Sequence, residues 1–417
     1  MKKCLFIIAI IVGAGFAPAL AQKNSQWRGE NRDGVYKETG LLKEWSADGP
    51  ELLWSYEGLG DGYTSVSIAN EKIYITGLEE DSLVLFVFDL KGKLLNRKIV
   101  GKEWTKNYNG PRCSVLVHEG KLYIGNSLGQ LFCLDETTLS EIWKKDGLND
   151  FDGRNIMFGV TENPLIVGDK IFMTPGGVVN NVVALNKNTG ELIWSSTGTG
   201  TVSTYASPLF IGDQSVPMVI TYLATSQQGL GRGVPRDNKI VALNANTGEV
   251  IWTHPQPSGN TINPNTPIYK DGYIFSSTGY AGGSLLLRLK DGGKAVEQVW
   301  FNNADNQHHG PLKIGDYIYT TAHNNRGFHC IDWKTGETKY REDSQSQSSM
   351  VYADGLIYAY DDRGNMNLIR PNPDRFELVS KFKITLGTNE HWAHPVIHNG
   401  VLYIRHGNTL MAYKIKN

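Results

Sequence analysis

One eleven-residue string is written twice almost unchanged: ALNKNTGELIW at residues 184–194 and ALNANTGEVIW at residues 242–252. A chain that repeats itself must stack like against like to bury its apolar faces, so the repeat limits the fold more than composition does. A second signal covers more of the sequence. An apolar stretch, a two-residue turn and a short strand, in most copies with an aromatic residue, recur at Asn70-Glu71, Glu119-Gly120, Gly168-Asp169, Gly212-Asp213, Asp271-Gly272, Gly315-Asp316, Asp354-Gly355 and Asn399-Gly400. The first residues of these pairs lie 49, 49, 44, 59, 44, 39 and 45 positions apart. Most of the pairs combine Gly with Asp or Asn, which supply the positive φ of type I′ and II′ hairpin turns. Tight hairpins at this period, with no helical periodicity, predict an all-β propeller of eight blades.

The eleven-residue string follows the hairpin and supplies the next strand pair. Ala184 and Ala242 hold a small position in a strand, Asn186 and Asn244 open a turn, Thr-Gly closes it, and Trp194 and Trp252 restart the chain. Degraded copies keep the spacing. Cys133, Asp135 and Trp143 carry Leu139 in place of Gly, and Cys330, Asp332 and Gly336 end on Tyr340. Trp300 ends an irregular copy, and the first, from Asp89 to Gly92, is one residue shorter. Each unit is thus a four-stranded antiparallel blade, with Trp143, Trp194, Trp252, Trp300, Tyr340 and Trp54 expected to dock between blades. The last copy stops at Asn417 after three strands. The early segment around Trp54 is expected to supply the fourth, so that the N-terminus closes the ring and removes an open edge.

The pattern A-x-D/N-x-x-T-G-x-x-x-W resembles the tryptophan-docking repeat of the pyrroloquinoline-quinone (PQQ)-like β-propellers, over nearly all of the chain beyond residue 21. The opening QWRGENRDG, residues 26–34, is similar to the start of exported members of that family. The resemblance implies eight blades and two kinds of function, quinone-dependent dehydrogenase with PQQ and Ca²⁺, or non-catalytic envelope protein. The dehydrogenases carry adjacent cysteines beside the quinone. No Cys-Cys pair occurs here, which disfavours PQQ with Ca²⁺, and no cofactor is assigned.

Residues 1–21 read as a signal peptide. Lys2 and Lys3 precede an apolar run, and Ala19-Leu20-Ala21 places cleavage before Gln22. The run is too short to span a bilayer. Residues 22–50 then form an N-terminal arm and 51–417 a single propeller domain, expected to be monomeric and periplasmic or secreted. Without Lys2 and Lys3, the 42 acidic residues slightly outnumber the basic ones. That balance points away from nucleic acid and anionic membranes. Of the four cysteines Cys4 lies in the leader, and the other three, widely spaced, make no disulfide framework. Cys133 and Cys330 take the small position of the repeat. Cys113, beside Arg112, is the one thiol with a chemical role to consider.

Loops leading into the innermost strands, and those between second and third strands, share one face of a propeller and gather its chemistry. They contain Tyr63, Arg112, Arg154, Tyr205, Asn263, His308, His309, Gln347, His391 and His394, and in the second group His323, Asn324, Arg326 and Asp361. Arginines suit a carboxylate, and His or Tyr suit proton transfer. Of these, Arg112, Arg154, Tyr205, His308, His309, His323, Asn324, Arg326, His391 and His394 are the candidate ligand contacts, with His308, His309, His323 and His394 a weak candidate metal set. The competing reading is a hydrated funnel whose polar loops satisfy one another. Three functions stay open: a recognition module for a small polar ligand or an envelope protein, a quinone-dependent alcohol or sugar dehydrogenase, and a carbohydrate-active lyase or hydrolase. The last requires His308, His309 and Arg326 to converge. The segment from about Tyr222 to Asn238 reads as an insertion over blade four.

Overall fold

The structure is a computed structural model that describes residues 25–199, 202–224, 237–256, 258–260 and 262–417. The leader, and nearly all of the insertion before Asn238, lie outside the described residues. Eight antiparallel sheets follow one another around a ring. Blade one comprises Ser67–Ala69, Lys72–Glu79, Ser82–Asp89 and Leu94–Lys102. Blade eight comprises Val396–His398, Val401–His406 and Thr409–Lys414, with Leu52–Tyr56 as its outer strand. The N-terminal strand therefore closes the ring as the sequence predicts.

The hairpin chemistry is the expected one. At Asn70-Glu71, Glu119-Gly120, Asp271-Gly272, Asp354-Gly355 and Asn399-Gly400 both residues have positive φ, as in type I′ turns. At Gly168-Asp169 and Gly315-Asp316 only the glycine does, which is the type II′ pattern. The Gly212 copy differs because five residues, Asp213 to Pro217, extend its connection before Met218–Ala224 begins.

Each letter of the docking repeat has a physical role. The Oδ1 atoms of Asp135, Asn186, Asn244 and Asp332 accept backbone N–H groups two residues on, forming Asx turns. The threonine hydroxyl then accepts the N–H two positions later, as at Thr189, Thr247 and Thr335. In all eight blades the outer strand bulges one residue before the docking position. A bulge re-aims the following side chain, and here it delivers an aromatic residue onto the next blade in six of the eight. The indole Nε1 of Trp54, Trp143, Trp194, Trp252 and Trp300 donates to the carbonyls of Leu90, Lys187, Ala245, Gly293 and Trp333, at 2.9–3.2 Å. The neighbouring turn must be glycine because the indole lies on it. A Cβ at Gly92, Gly190, Gly248 or Gly336 would meet the ring at 2.4–2.9 Å.

Two blades lack the docking aromatic, and each gap is filled differently. In blade one the position is exposed Asn96, opposite Val87. Leu139, standing where the next turn would have glycine, fills the space, 4% exposed in the core shared by blades one and two. In blade seven the position is Ser380, opposite Leu368. Trp45 of the N-terminal arm covers it: its backbone N–H donates to Ser380 Oγ at 3.2 Å, and its ring meets Phe382 edge-on at 5.4 Å.

The arm also crosses the central channel. The backbone of Ser25 pairs with Val117 of blade two. Arg32 donates to the carbonyls of Asn163 and Pro164 of blade three. Arg28 donates to Pro311 and Met350 of blades six and seven and faces His394 of blade eight. Val35–Tyr36 then runs parallel to Ser348–Ala353, the inner strand of blade seven. Gly310 is the only side-chain-free solution at its position, since a Cβ there would lie 1.6 Å from Arg28 Nη1. Among the described residues no helix is long and apolar enough to cross a membrane.

Candidate functional site

The arm makes the channel a blind funnel. Above Trp27 lies a cavity of about 410 Å³. Its wall is drawn from the inlet loops of seven blades: Tyr63, Tyr108 with Arg112, Phe158, Tyr205, Ile262, Gln307 with His308, and Trp392 with His394. Tyr280 and His323 join from the loops between second and third strands. Asp305 sets those two loops, its carboxylate accepting the N–H groups of Ala281, Asn324 and Asn325.

Aromatic rings form a continuous band. Trp392 lies 5.3 Å from Tyr63, 4.9 Å from Tyr108 and 5.0 Å from His308, so one indole from blade eight links loops of blades one, two and six. The band continues through Phe158, 5.9 Å from Tyr108, to Tyr205, 6.2 Å further. Such ring separations are favourable for aromatic contact. On the floor Trp27 meets His394 edge-on at 5.2 Å, with the Arg28 guanidinium 5.6 Å from the indole.

Among the described residues Arg112 is the one permanently charged side chain in the wall. It lies 6.0 Å from the Tyr63 ring, and its Nη2 donates to the carbonyls of Asn107, at 3.2 Å, and Tyr108. Its Nη1 is buried without a partner among the described residues. Burial pulls its pKa down. Glu103, behind it, is buried, and burial pushes its carboxyl up to about 7. His308 is pushed down to about 3 by burial and by His323, and stacks 3.9 Å from His309, which burial holds well below the usual histidine range. Both are therefore neutral imidazoles at pH 7. Burial, then Arg28, does the same to His394.

Of the sequence candidates, Arg112, Tyr205, His308, His323 and His394 line the cavity. His309 is 1% exposed and stands behind His308. Arg154, Asn324 and Arg326 are exposed and outside the wall. His391 is elsewhere, stacked 3.7 Å from His406 and bonded to the Tyr360 hydroxyl. His308, His309 and Arg326 therefore do not converge as the lyase or hydrolase reading requires. His308, His309, His323 and His394 do not form a metal set: among the described residues no three His, Cys, Asp or Glu side chains are grouped to hold an ion. Cys113 is also corrected. It is fully buried, and burial raises its thiol far above the range of a reactive cysteine. Trp27, Tyr108, Phe158, Tyr280 and Trp392 were not singled out from the sequence. Trp392 lies between two candidate histidines and Tyr108 four residues before Arg112, which is the signal that was there to use.

The family described as outer membrane protein assembly factor BamB matches residues 149–376, more than half of the chain. The chain belongs to this PQQ-like propeller family. Among its relatives, quinoprotein ethanol dehydrogenase of Pseudomonas aeruginosa is 30% identical over 36% of this chain and 24% of its own length. Quinoprotein alcohol dehydrogenase PedH of Pseudomonas putida is 27% identical over 42% and 27%. The chain thus spans about a quarter of the quinoproteins it matches. BamB of Shewanella oneidensis is 22% identical over 61% of this chain and 62% of its own. The solved BamB of Moraxella catarrhalis superposes with a TM-score of 0.60 at 14% identity, covering 88% of this chain and 99% of that one. A quinohemoprotein alcohol dehydrogenase of Pseudomonas putida HK5 gives 0.63 at 14%, covering 95% and 80%. These similarities establish the fold.

Proposed function

We propose that this chain is an exported recognition module that captures a small cyclic polar molecule in the axial cavity. The observation that carries the reading is the aromatic band of Tyr63, Tyr108, Phe158, Tyr205 and Trp392 closing on Arg112, His308 and Gln307. An apolar cleft with a few convergent polar groups is the general form of a ligand site. The test is a thermal-shift screen of sugars, acids and quinones against wild type and Trp392→Ala. A ligand at 100 times its Kd adds about 2.7 kcal/mol of stability. The reading requires at least one compound that raises the melting temperature of wild type and not of the variant.

The residues present do not fit a Ca²⁺-held quinone. Ca²⁺ takes six to eight oxygen ligands, carboxylates foremost, and among the described residues the cavity wall contains no Asp or Glu. A second reading, docking to an envelope protein, draws on the similarity to BamB. Met157, Val178 and Val179 are exposed on the funnel face of blade three and are the apolar surface such a partner would cover. Mutating all three to Ser would abolish capture of that partner and leave the thermal shift intact.

A further inference from the structure

The unpaired polar atoms around the funnel narrow the ligand class, on the premise that the cavity is a ligand site. Nη1 of Arg112 and Nε2 of His308 are buried without partners among the described residues. So are both ring nitrogens of His309 and both amide atoms of Asn263, a residue 0% exposed between the wall residues Ile262 and Pro264. Buried polar groups are ordinarily satisfied, so unsatisfied ones on the wall residues Arg112 and His308 mark a place where another molecule supplies hydrogen bonds.

The types of these atoms are informative. Arg112 can only donate. A neutral imidazole offers one donor and one acceptor, and the Asn263 amide offers both. A planar quinone or aromatic acid presents mainly oxygen acceptors, which would suit Arg112 and leave the acceptor atoms unpaired. A hydroxyl group both donates and accepts, so a polyol satisfies the His308 imidazole in either tautomer. Arg112 then asks for a carboxylate, because the unpartnered Nη1 of a guanidinium makes its strongest hydrogen bond to an ionised oxygen. The aromatic band connects the two ends: Arg112 sits over Tyr63, Tyr63 is 5.3 Å from Trp392, and Trp392 is 5.0 Å from His308. The apolar face of a pyranose laid on Trp392 would put one edge toward Arg112 and the other toward His308.

We propose that the funnel binds a sugar acid, its carboxylate on Arg112, its ring on Trp392 and Tyr108, and its hydroxyls on His308. The cation beneath the floor, Arg28, has only carbonyls and His394 as hydrogen-bond partners among the described residues and adds to the positive field.

The experiment is calorimetric titration of the full chain with D-glucuronate, D-galacturonate and D-mannuronate, with the matching neutral hexoses, and with quinolinate as a planar aromatic acid. At least one uronate is expected to bind at least tenfold tighter than its hexose, which corresponds to about 1.4 kcal/mol. Arg112→Gln should bring that pair within twofold, Arg112→Lys should keep part of the preference, and His308→Phe should weaken uronate and hexose alike. Circular dichroism of each variant confirms that it is folded. Equal binding of uronate and hexose, or binding of quinolinate but no uronate, overturns the inference. No uronate binding, with another compound acting through Trp392, overturns it and leaves the pocket reading standing. No compound of any class acting through Trp392 overturns both.

Discussion

The docking of Trp194 on Gly248 can be taken apart energetically. Gly248 has φ +76°, and a Cβ there would lie 2.5 Å from the Trp194 ring. Gly248→Ala therefore has two costs. The left-handed backbone costs about 1–2 kcal/mol for a residue with a Cβ, and forcing a methyl into the packed indole costs about 1–3 kcal/mol more. Trp194→Ala alone removes a ring 8% exposed and its bond to the Ala245 carbonyl, at about 3–5 kcal/mol. In the double variant the methyl enters the space the indole left, so only the backbone cost of the substituted turn remains. The pair should be less destabilised than the sum of the singles by about 1–3 kcal/mol, the overpacking cost that the double variant escapes. The assay is urea denaturation of all four proteins followed by far-ultraviolet circular dichroism, which does not depend on the lost indole. Additivity within about 0.5 kcal/mol, the behaviour of independent sites, would refute the claim that the glycine of the repeat exists to seat the neighbouring tryptophan.

Deleting residues 51–57 removes the outer strand of blade eight and should replace one cooperative melt by a broad, low transition; a single near-normal melt would contradict ring closure. Trp45→Ala should cost about 3–5 kcal/mol, as much as losing a docking tryptophan, in the same denaturation assay. Glu103 is uncharged to higher pH in the folded chain than in the unfolded one. Its contribution to stability is therefore full below about pH 4.3 and declines as pH rises to about 7, because the unfolded chain ionises first. Glu103→Gln should raise stability at pH 8 by roughly 1–3 kcal/mol and change it little at pH 4; the reverse order would falsify the assignment.

Repeated elements were legible in the sequence because turn chemistry is local. Asp-Gly and Asn-Gly pairs favour positive φ whatever surrounds them, so eight hairpins could be counted before any contact was known. The docking residues were legible for the same reason, as Asn186, Thr189 and Trp194 act within one strand-turn-strand unit. The funnel wall was not. Tyr108, Phe158, Tyr280 and Trp392 lie in loops whose course is set by neighbours from other blades, and residue spacing carries no record of that. Arg112, His308 and His323 were found because polar residues in inlet loops stand out, whereas Tyr108, Phe158, Tyr280 and Trp392 carry no charge to set them apart. The arm hid two further roles. Nothing near Trp45 announces that Ser380, some 335 residues away, leaves a gap for it, and nothing in QWRGENRDG announces that Trp27 is a floor.

The central claim is that the funnel above Trp27 holds the ligand. A crystal structure of the complex with the compound that most raises the melting temperature tests it most directly. The account predicts density between Trp27, Tyr108, Arg112 and Trp392, in contact with His308. Density on an outer strand or between blades, with the funnel holding only water, would contradict it.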